Sequence, residues 1–271
     1  MPDALLEKRP DGVAVVTMNR PERMNAASPA MSALLMEYFA DCAADPQVRC
    51  VALTGAGRGF CAGADIKRLD EAQAAQAGGA AAPEGFFERV EGLRRRQDGI
   101  TLKLHTMPKP TVAIVNGFAI GAGFSFALGC DIRLAGDEAR LSAGFRNLAA
   151  SGDMGGTYFL SKLVGDGIAR ELIFTGEMMS AERARALGIV NRVYPQADLM
   201  QEALAFCAEL ARGPTRAFAL AKENLAMASV ASAKEALDFE AANMILSLTT
   251  DDHREAVRAF VEKRAARFKG R

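Results

Sequence analysis

Between Thr111 and Thr157 the chain reads TVAIVNGFAIGAGFSFALGCDIRLAGDEARLSAGFRNLAASGDMGGT, and the opening of this stretch restricts the fold more than any other feature. Thr111–Val115 is short, apolar and β-branched, the pattern of a buried strand, and Asn116-Gly117 and the glycine-spaced Gly121-Ala122-Gly123 break it. A strand must feed a helix there through a tight turn. With side chains small or absent, the backbone N–H groups at the start of the helix near Ala122 can approach a ligand, and they have no intrahelical partner. Such an end attracts negative charge. Earlier in the chain a first turn of small residues, Gly59-Phe60-Cys61-Ala62-Gly63-Ala64-Asp65-Ile66-Lys67, follows another apolar strand at Cys50–Thr54. Two such turns can aim two N–H donors at one oxygen.

The remainder of the chain divides into an α/β part and a helical part. Gly12–Met18 reads as a strand ended by Asn19-Arg20-Pro21, and Ser28-Pro29 as the cap and first position of a helix with Leu34, Leu35, Tyr38 and Phe39 on one face. Between Asp70 and Pro83 an alanine-, glutamine- and glycine-rich segment lacks the bulk to pack a core and is expected to be mobile. A helix is expected from about Glu84 to Thr106, with Arg94-Arg95-Arg96 as a solvated face rather than a phosphate clamp. Helices follow at Thr157–Leu163 and Gly165–Phe174, another capped by Ser180, and a last strand at Val190–Val193. Beyond it the pattern is helical: Asp198 with Gln201 reads as a capping box, and Pro214, Ser232 and Asp251 open further helices. The expected division is 1–200 for the α/β core and 201–271 for the helical region.

Composition excludes several classes of function. Lys+Arg and Asp+Glu both number 33 and no basic block with interleaved aromatics occurs, so no field or surface for nucleic acid is expected. The five cysteines are odd in number and have no CxxC spacing, which argues against a disulfide framework or a metal site. No long apolar run or secretory pattern is found, and a cytoplasmic protein without membrane association is expected.

VALTGAGRGFCAGADIK followed by KPTVAIVNGFAIGAGFSFALGCDI resembles the paired signature of the crotonase superfamily of enoyl-CoA hydratases and isomerases. NRPERMNA, TGEMMSAERARALGIVNRVYP and DDHREAVRAFVEKR extend the resemblance over nearly the whole chain. It implies a ββα spiral core with a C-terminal helical trimerisation region, a homotrimer or a dimer of trimers, and an acyl-CoA substrate. No cofactor beyond the coenzyme A of the substrate, and no metal, is implied. The N–H groups of Ala64 and Ala122 would form an oxyanion hole, with Ala122 standing where glycine is usual. Ala62, Asp65, Ile66, Lys67, Gly121, Phe124, Ser125, Phe145, Met154 and Lys263 would contact the substrate, and Arg264 joins Lys263 as a candidate for the CoA phosphates.

The resemblance also directs attention to what is missing. Two glutamates serve the hydratases of the family, and alignment puts Ser125 and Phe145 at those positions. Neither can act as a carboxylate. Asp153, in SGDMGG, matches the aspartate of dienoyl-CoA isomerases, ring-opening isomerases and aryl-CoA dehalogenases. From composition alone it reads as a helix cap, because Gly155-Gly156-Thr157 follow. In a pocket lined by Phe124, Phe126, Phe145 and Met154 it would serve as acid and base in double-bond isomerisation. The alternatives are an enoyl-CoA hydratase, a dehalogenase-like hydrolase using Asp153 as nucleophile with a histidine base, and a non-catalytic acyl-CoA binder. Only His105 and His253 could supply that base, and His105 reads as structural. Ser125, on a helix, is expected to bond the carbonyl one turn back.

Overall fold

The structure, a computed structural model, describes residues 1–77 and 85–271. It opens with a hairpin, β1 (Ala4–Lys8) antiparallel to β2 (Val13–Met18). β1 is absent from the sequence reading for a physical reason: only Ala4 of ALLEK is buried, so the strand carries little apolar signal. α1 (Pro29–Ala44) starts as expected, with Ser28 Oγ accepting the Met31 N–H at 2.9 Å. It buries Met31, Leu35, Phe39 and Cys42, a stripe at helical spacing.

A unit of two strands and a helix then recurs. β3 (Cys50–Gly55) and β4 (Gly59–Cys61) lead to α2 (Ile66–Ala77). α3 (Phe86–Gln97) runs through a π-helical turn at Asp98–Leu102 into α4 (Lys103–Thr106). β5 (Thr111–Val115) and β6 (Phe118–Ile120) lead to α5 (Ala122–Gly129), and β7 (Ile132–Gly136) and β8 (Arg140–Ser142) to α6 (Gly156–Thr175). The unit recurs without any repeat in the residues, because the shape asks only for a buried strand, a turn and a helix. β9 (Met179–Ser180), α7 (Ala181–Ala186) and β10 (Arg192–Tyr194) complete the α/β part. The tail is α8 (Leu199–Arg212), α9 (Thr215–Ala228), α10 (Ala233–Leu248) and α11 (Asp251–Val261).

Among the described residues the strands form a six-stranded sheet, β1-β2-β3-β5-β7-β10, and a four-stranded one, β4-β6-β8-β9. β3 and β5 are buried along their whole length, as parallel strands covered on both faces must be. One face packs on Leu35, Phe39, Phe60, Ile100, Leu104 and Phe124. α8 covers the other with Leu199, Ala203, Cys207 and Ala211 against Val15, Ala52, Val112, Ile114 and Leu134. Residue 200 thus lies inside α8, which packs on the large sheet. No helix of the described residues is long and apolar enough to cross a membrane.

Other details differ from the sequence reading. The segment expected to lack structure from Asp70 is helical through Ala77, since alanine and glutamine are good helix formers; its remainder lies outside the described residues. Asp198 makes no side-chain cap, its own backbone being helical. The two helices expected around Gly165 are borne out, since α6 is broken at Gly165, whose φ of +74° is non-helical. The last strand, expected at Val190–Val193, begins two residues later and runs over Arg192–Tyr194.

Parallel pairing of β4 with β6 sets Cys61 opposite Ala119, which brings the turns after both strands side by side. The contact is close. A Cβ at Gly123 would lie 2.1 Å from Cys61 O, and one at Gly63 (φ +88°) would lie 2.7 Å from Ile120 O. Gly123→Ala must therefore push the two turns apart, and we expect it to destabilise the fold by about 1–3 kcal/mol in urea unfolding, the usual range for overpacking. Wild-type stability in that variant would contradict the close approach.

Candidate active site

The two turns frame a cleft of about 360 Å³ whose lining includes Ala64, Asp65, Arg68, Arg96, Ala122, Phe126, Asp153 and Met154. Ala122 is the first residue of α5, and Gly121 before it adopts φ +55°, ψ −120°, with its N–H on Ser142 O at 3.0 Å. Among the described residues neither the Ala64 nor the Ala122 N–H has a protein acceptor. Free backbone donors beside one cavity are the arrangement that stabilises a developing oxyanion.

The first turn is pinned from several sides. Gly63 O accepts the Ala27 N–H at 2.7 Å, and Ala62 N–H donates to Met24 O at 3.0 Å. Buried Asn25 donates through Nδ2 to Ala56 O and Gly59 O at 2.9 and 2.7 Å and accepts the Arg20 N–H at 2.8 Å. Arg20 donates to Ala26 O at 2.6 Å and pairs with Asp65 at 2.9 Å. The Arg20 guanidinium holds the Asp65 carboxyl below the ordinary aspartate value. Asp65 thus fixes the turn and is not free for proton transfer.

Asp153 differs in every respect. It sits on the loop between the 3-10 turn Phe145–Leu148 and α6, among residues with positive φ: Gly152 at +123°, Met154 at +53° and Gly155 at +73°. A methionine in that region carries strain of order 1–3 kcal/mol, a cost met most often at working sites. The Asp153 carbonyl accepts Ser125 Oγ at 2.9 Å and the Gly156 N–H at 3.1 Å. Asp153 Oδ1 accepts Gln97 Nε2 at 3.1 Å and the Met154 N–H, while Oδ2 has no donor among the described residues. The side chain makes no cap for α6, whose capping position is Gly155.

The remaining candidates are dispersed. Ser125 is fully buried, and its hydroxyl is spent on Gly121 O at 3.2 Å, the bond one turn back, and on Asp153 O. Phe124, Ser125 and Phe145 surround a void of only about 10 Å³ behind the cleft, whereas Phe126 and Met154 line the cleft itself. Ala62 is within the first turn with its N–H on Met24 O, Ile66 and Lys67 begin α2, and Lys263 follows α11; none of the four lines the cleft. Arg264 is engaged by Glu255 at 2.6 and 3.0 Å and by Glu262 at 2.6 Å. Arg94 pairs with Glu91, but half-buried Arg96 reaches the cleft, so the arginine run is not wholly a solvated face. His105 packs against Phe159 with the rings tilted by 56° and centroids 5.1 Å apart, and burial pushes the pKa of its imidazole below the ordinary value. Sequence reading missed Gln97, Arg68 and Arg96.

The sequence model of the enoyl-CoA hydratase/isomerase family matches residues 8–271. The chain belongs to that family. It is 34% identical to the 1,2-epoxyphenylacetyl-CoA isomerase of Escherichia coli, with all of both chains covered. Against the short-chain-enoyl-CoA hydratase of Clostridium acetobutylicum identity is 34%, covering 97% of this chain and 95% of that protein. An enoyl-CoA hydratase crystal structure from Bacillus anthracis superposes with a TM-score of 0.87 at 30% identity, covering 99% of this chain and 100% of the other. The architecture of two mixed sheets and C-terminal helices is the crotonase fold. Family members of both kinds, isomerase and hydratase, thus stand at similar distance from this chain.

Arg20→Met removes the partner of Asp65 and one donor to Ala26 O, and we expect it to cost about 1.5–3 kcal/mol at pH 7, the range for hydrogen bonds to charged groups. Because the Asp65 pKa is lowered in the folded state, the stabilisation is present above the ordinary value of 3.8 and is lost as the pH falls through the lower folded-state value. The stability gap between wild type and variant in urea unfolding should shrink on acidification below that value. A gap independent of pH would contradict the pairing.

Proposed function

We propose that this enzyme isomerises an unsaturated or aromatic acyl-CoA, with Asp153 as the acid and base. One observation carries the reading: of the two carboxylates lining the cleft beside the free Ala64 and Ala122 N–H groups, Asp65 is held by Arg20 and Asp153 alone keeps an oxygen without a donor. In this reading the thioester carbonyl oxygen accepts both N–H groups, which stabilises the enolate formed when the α-proton leaves. For a 3-enoyl thioester, Asp153 takes a proton from C2, the C2–H electrons flow into the carbonyl as a dienolate, and the same carboxyl protonates C4. The double bond moves from C3–C4 to C2–C3, and water takes no part.

Hydration by paired glutamates finds no support at the positions where the resemblance expects them. Phe145 has no proton to give, and the Ser125 hydroxyl is already committed to two carbonyls. A second reading, a dehalogenase-like hydrolase with Asp153 as nucleophile, is favoured by the position of His105, which lines with Asp153, Tyr158 and Phe159 a neighbouring cleft of about 480 Å³. A covalent aryl adduct on Asp153 would decide for it. Exposed apolar residues of the tail, among them Leu225, Leu237, Ile245 and Phe260 (85% exposed), support self-association, which the family resemblance reads as a homotrimer or a dimer of trimers.

Asp153→Asn keeps the side chain's shape and removes the base. Folding and affinity for a non-reactive acyl-CoA should persist while isomerisation falls by about 10²- to 10⁴-fold; a folded, fully active variant would sink the assignment. Steady-state assays of the wild type should also show crotonyl-CoA hydration slower than that of a paired-glutamate hydratase by about the same factor. Efficient hydration would overturn the mechanism.

A further inference from the structure

The Asp153 carboxylate hangs on a loop, yet one of its oxygens is tied to a helix 56 positions away in sequence. We infer that Gln97 is a positioning residue, holding Asp153 Oδ1 so that Oδ2 alone exchanges protons with the substrate. The inference rests on the reading of Asp153 as the acid and base.

The backbone of the loop is anchored at the Asp153 carbonyl by Ser125 Oγ and the Gly156 N–H, but these leave the side chain free to rotate. The Met154 N–H restrains Oδ1 only from within the same loop. Gln97 supplies a restraint from outside it. It is the last residue of α3, and the π-helical turn that follows buries Ile100 and Thr101 in the core, with Thr101 Oγ1 donating to Gln97 O at 3.2 Å. An ionised carboxylate only accepts hydrogen bonds, so the amide must face it with its NH2 group. That fixes the orientation of Gln97.

The direction of approach supports the assignment. Asp153 is the one described residue that lines both the cleft holding the Ala64 and Ala122 N–H groups and the neighbouring cleft of about 480 Å³. Gln97 lines the second cleft and not the first. It therefore reaches the carboxylate from the neighbouring cleft, and Oδ2, left without a donor among the described residues, is the oxygen free to exchange a proton. A proton carrier that must serve two carbons in turn needs its reacting oxygen held in place, because a misplacement of about 1 Å can cost on the order of 100-fold in rate.

The test uses Gln97→Met, which keeps the length without a donor, and Gln97→Glu, which keeps the shape and sets a carboxylate against Asp153. Both have the size of glutamine, so either alone decides the point. With trans-3-hexenoyl-CoA as probe we expect kcat to fall by about 10- to 100-fold in Gln97→Met and at least as far in Gln97→Glu. KM, and affinity for a non-reactive thioether analogue, should stay within about threefold, because the bond acts on the reacting group and not on ground-state binding. Retained kcat overturns the inference, whether or not the melting temperature falls, because the bond would then be structural. A raised KM with unchanged kcat also overturns it, since Gln97 would then be a substrate contact. Asp153→Asn, run in parallel, separates the two levels: an active Asp153→Asn defeats the reading of Asp153 itself, whereas inactive Asp153→Asn with active Gln97 variants defeats only the role of Gln97.

Discussion

The site depends on a contact between two backbones. Gly123 lies so near Cys61 O, and Gly63 so near Ile120 O, that neither position has room for a side chain. Register does the rest. With Cys61 opposite Ala119 in the smaller sheet, the chain must leave both strands at the same height, and the N–H groups of Ala64 and Ala122 open onto one cleft. Donors fixed in this way need no reorganisation when charge develops on a bound oxygen, which is the source of their value to catalysis.

Around that fixed pair the two carboxylates of the cleft have opposite fates. Asp65 is consumed by structure: it pairs with Arg20, which also binds Ala26 O and so ties the NRP corner to the first turn. Asp153 is held at one oxygen and left open at the other, on a loop that tolerates a left-handed methionine to place it. The free Ala64 and Ala122 N–H groups are suited to hold an oxyanion, and the chemistry such a cradle can do depends on which acid or base faces it. In this chain the residue bearing the open oxygen is Asp153.

Much of this was legible in the sequence, and the reasons are specific. The central strands could be read because parallel strands buried on both faces become unbroken apolar runs, as in Cys50–Thr54 and Thr111–Val115. Ser28, Ser180 and Ser232 announced their helices by capping chemistry that is local in the chain. Strands of three residues such as β4, β6 and β8 left no period to detect, and they are the ones that set the two turns side by side. Asp198 shows the limit of a local rule, since a capping pattern in the residues yielded no cap. Gln97 was missed because its partner is distant, although a signal existed: Leu93, Gln97, Ile100 and Leu104 fall at helical spacing, and a glutamine on an otherwise apolar face requires a buried polar partner.

The central claim is that the cleft moves a proton and does not add water. The direct measurement is to incubate the wild-type enzyme with a panel of 2-enoyl-, 3-enoyl- and aryl-substituted acyl-CoA thioesters and to identify the products by mass spectrometry and NMR. The account predicts that at least one member is converted to an isomer of unchanged mass with its double bond shifted, and that this conversion disappears in Asp153→Asn. Products that all carry an added water, or turnover that survives loss of the Asp153 carboxylate, would contradict it.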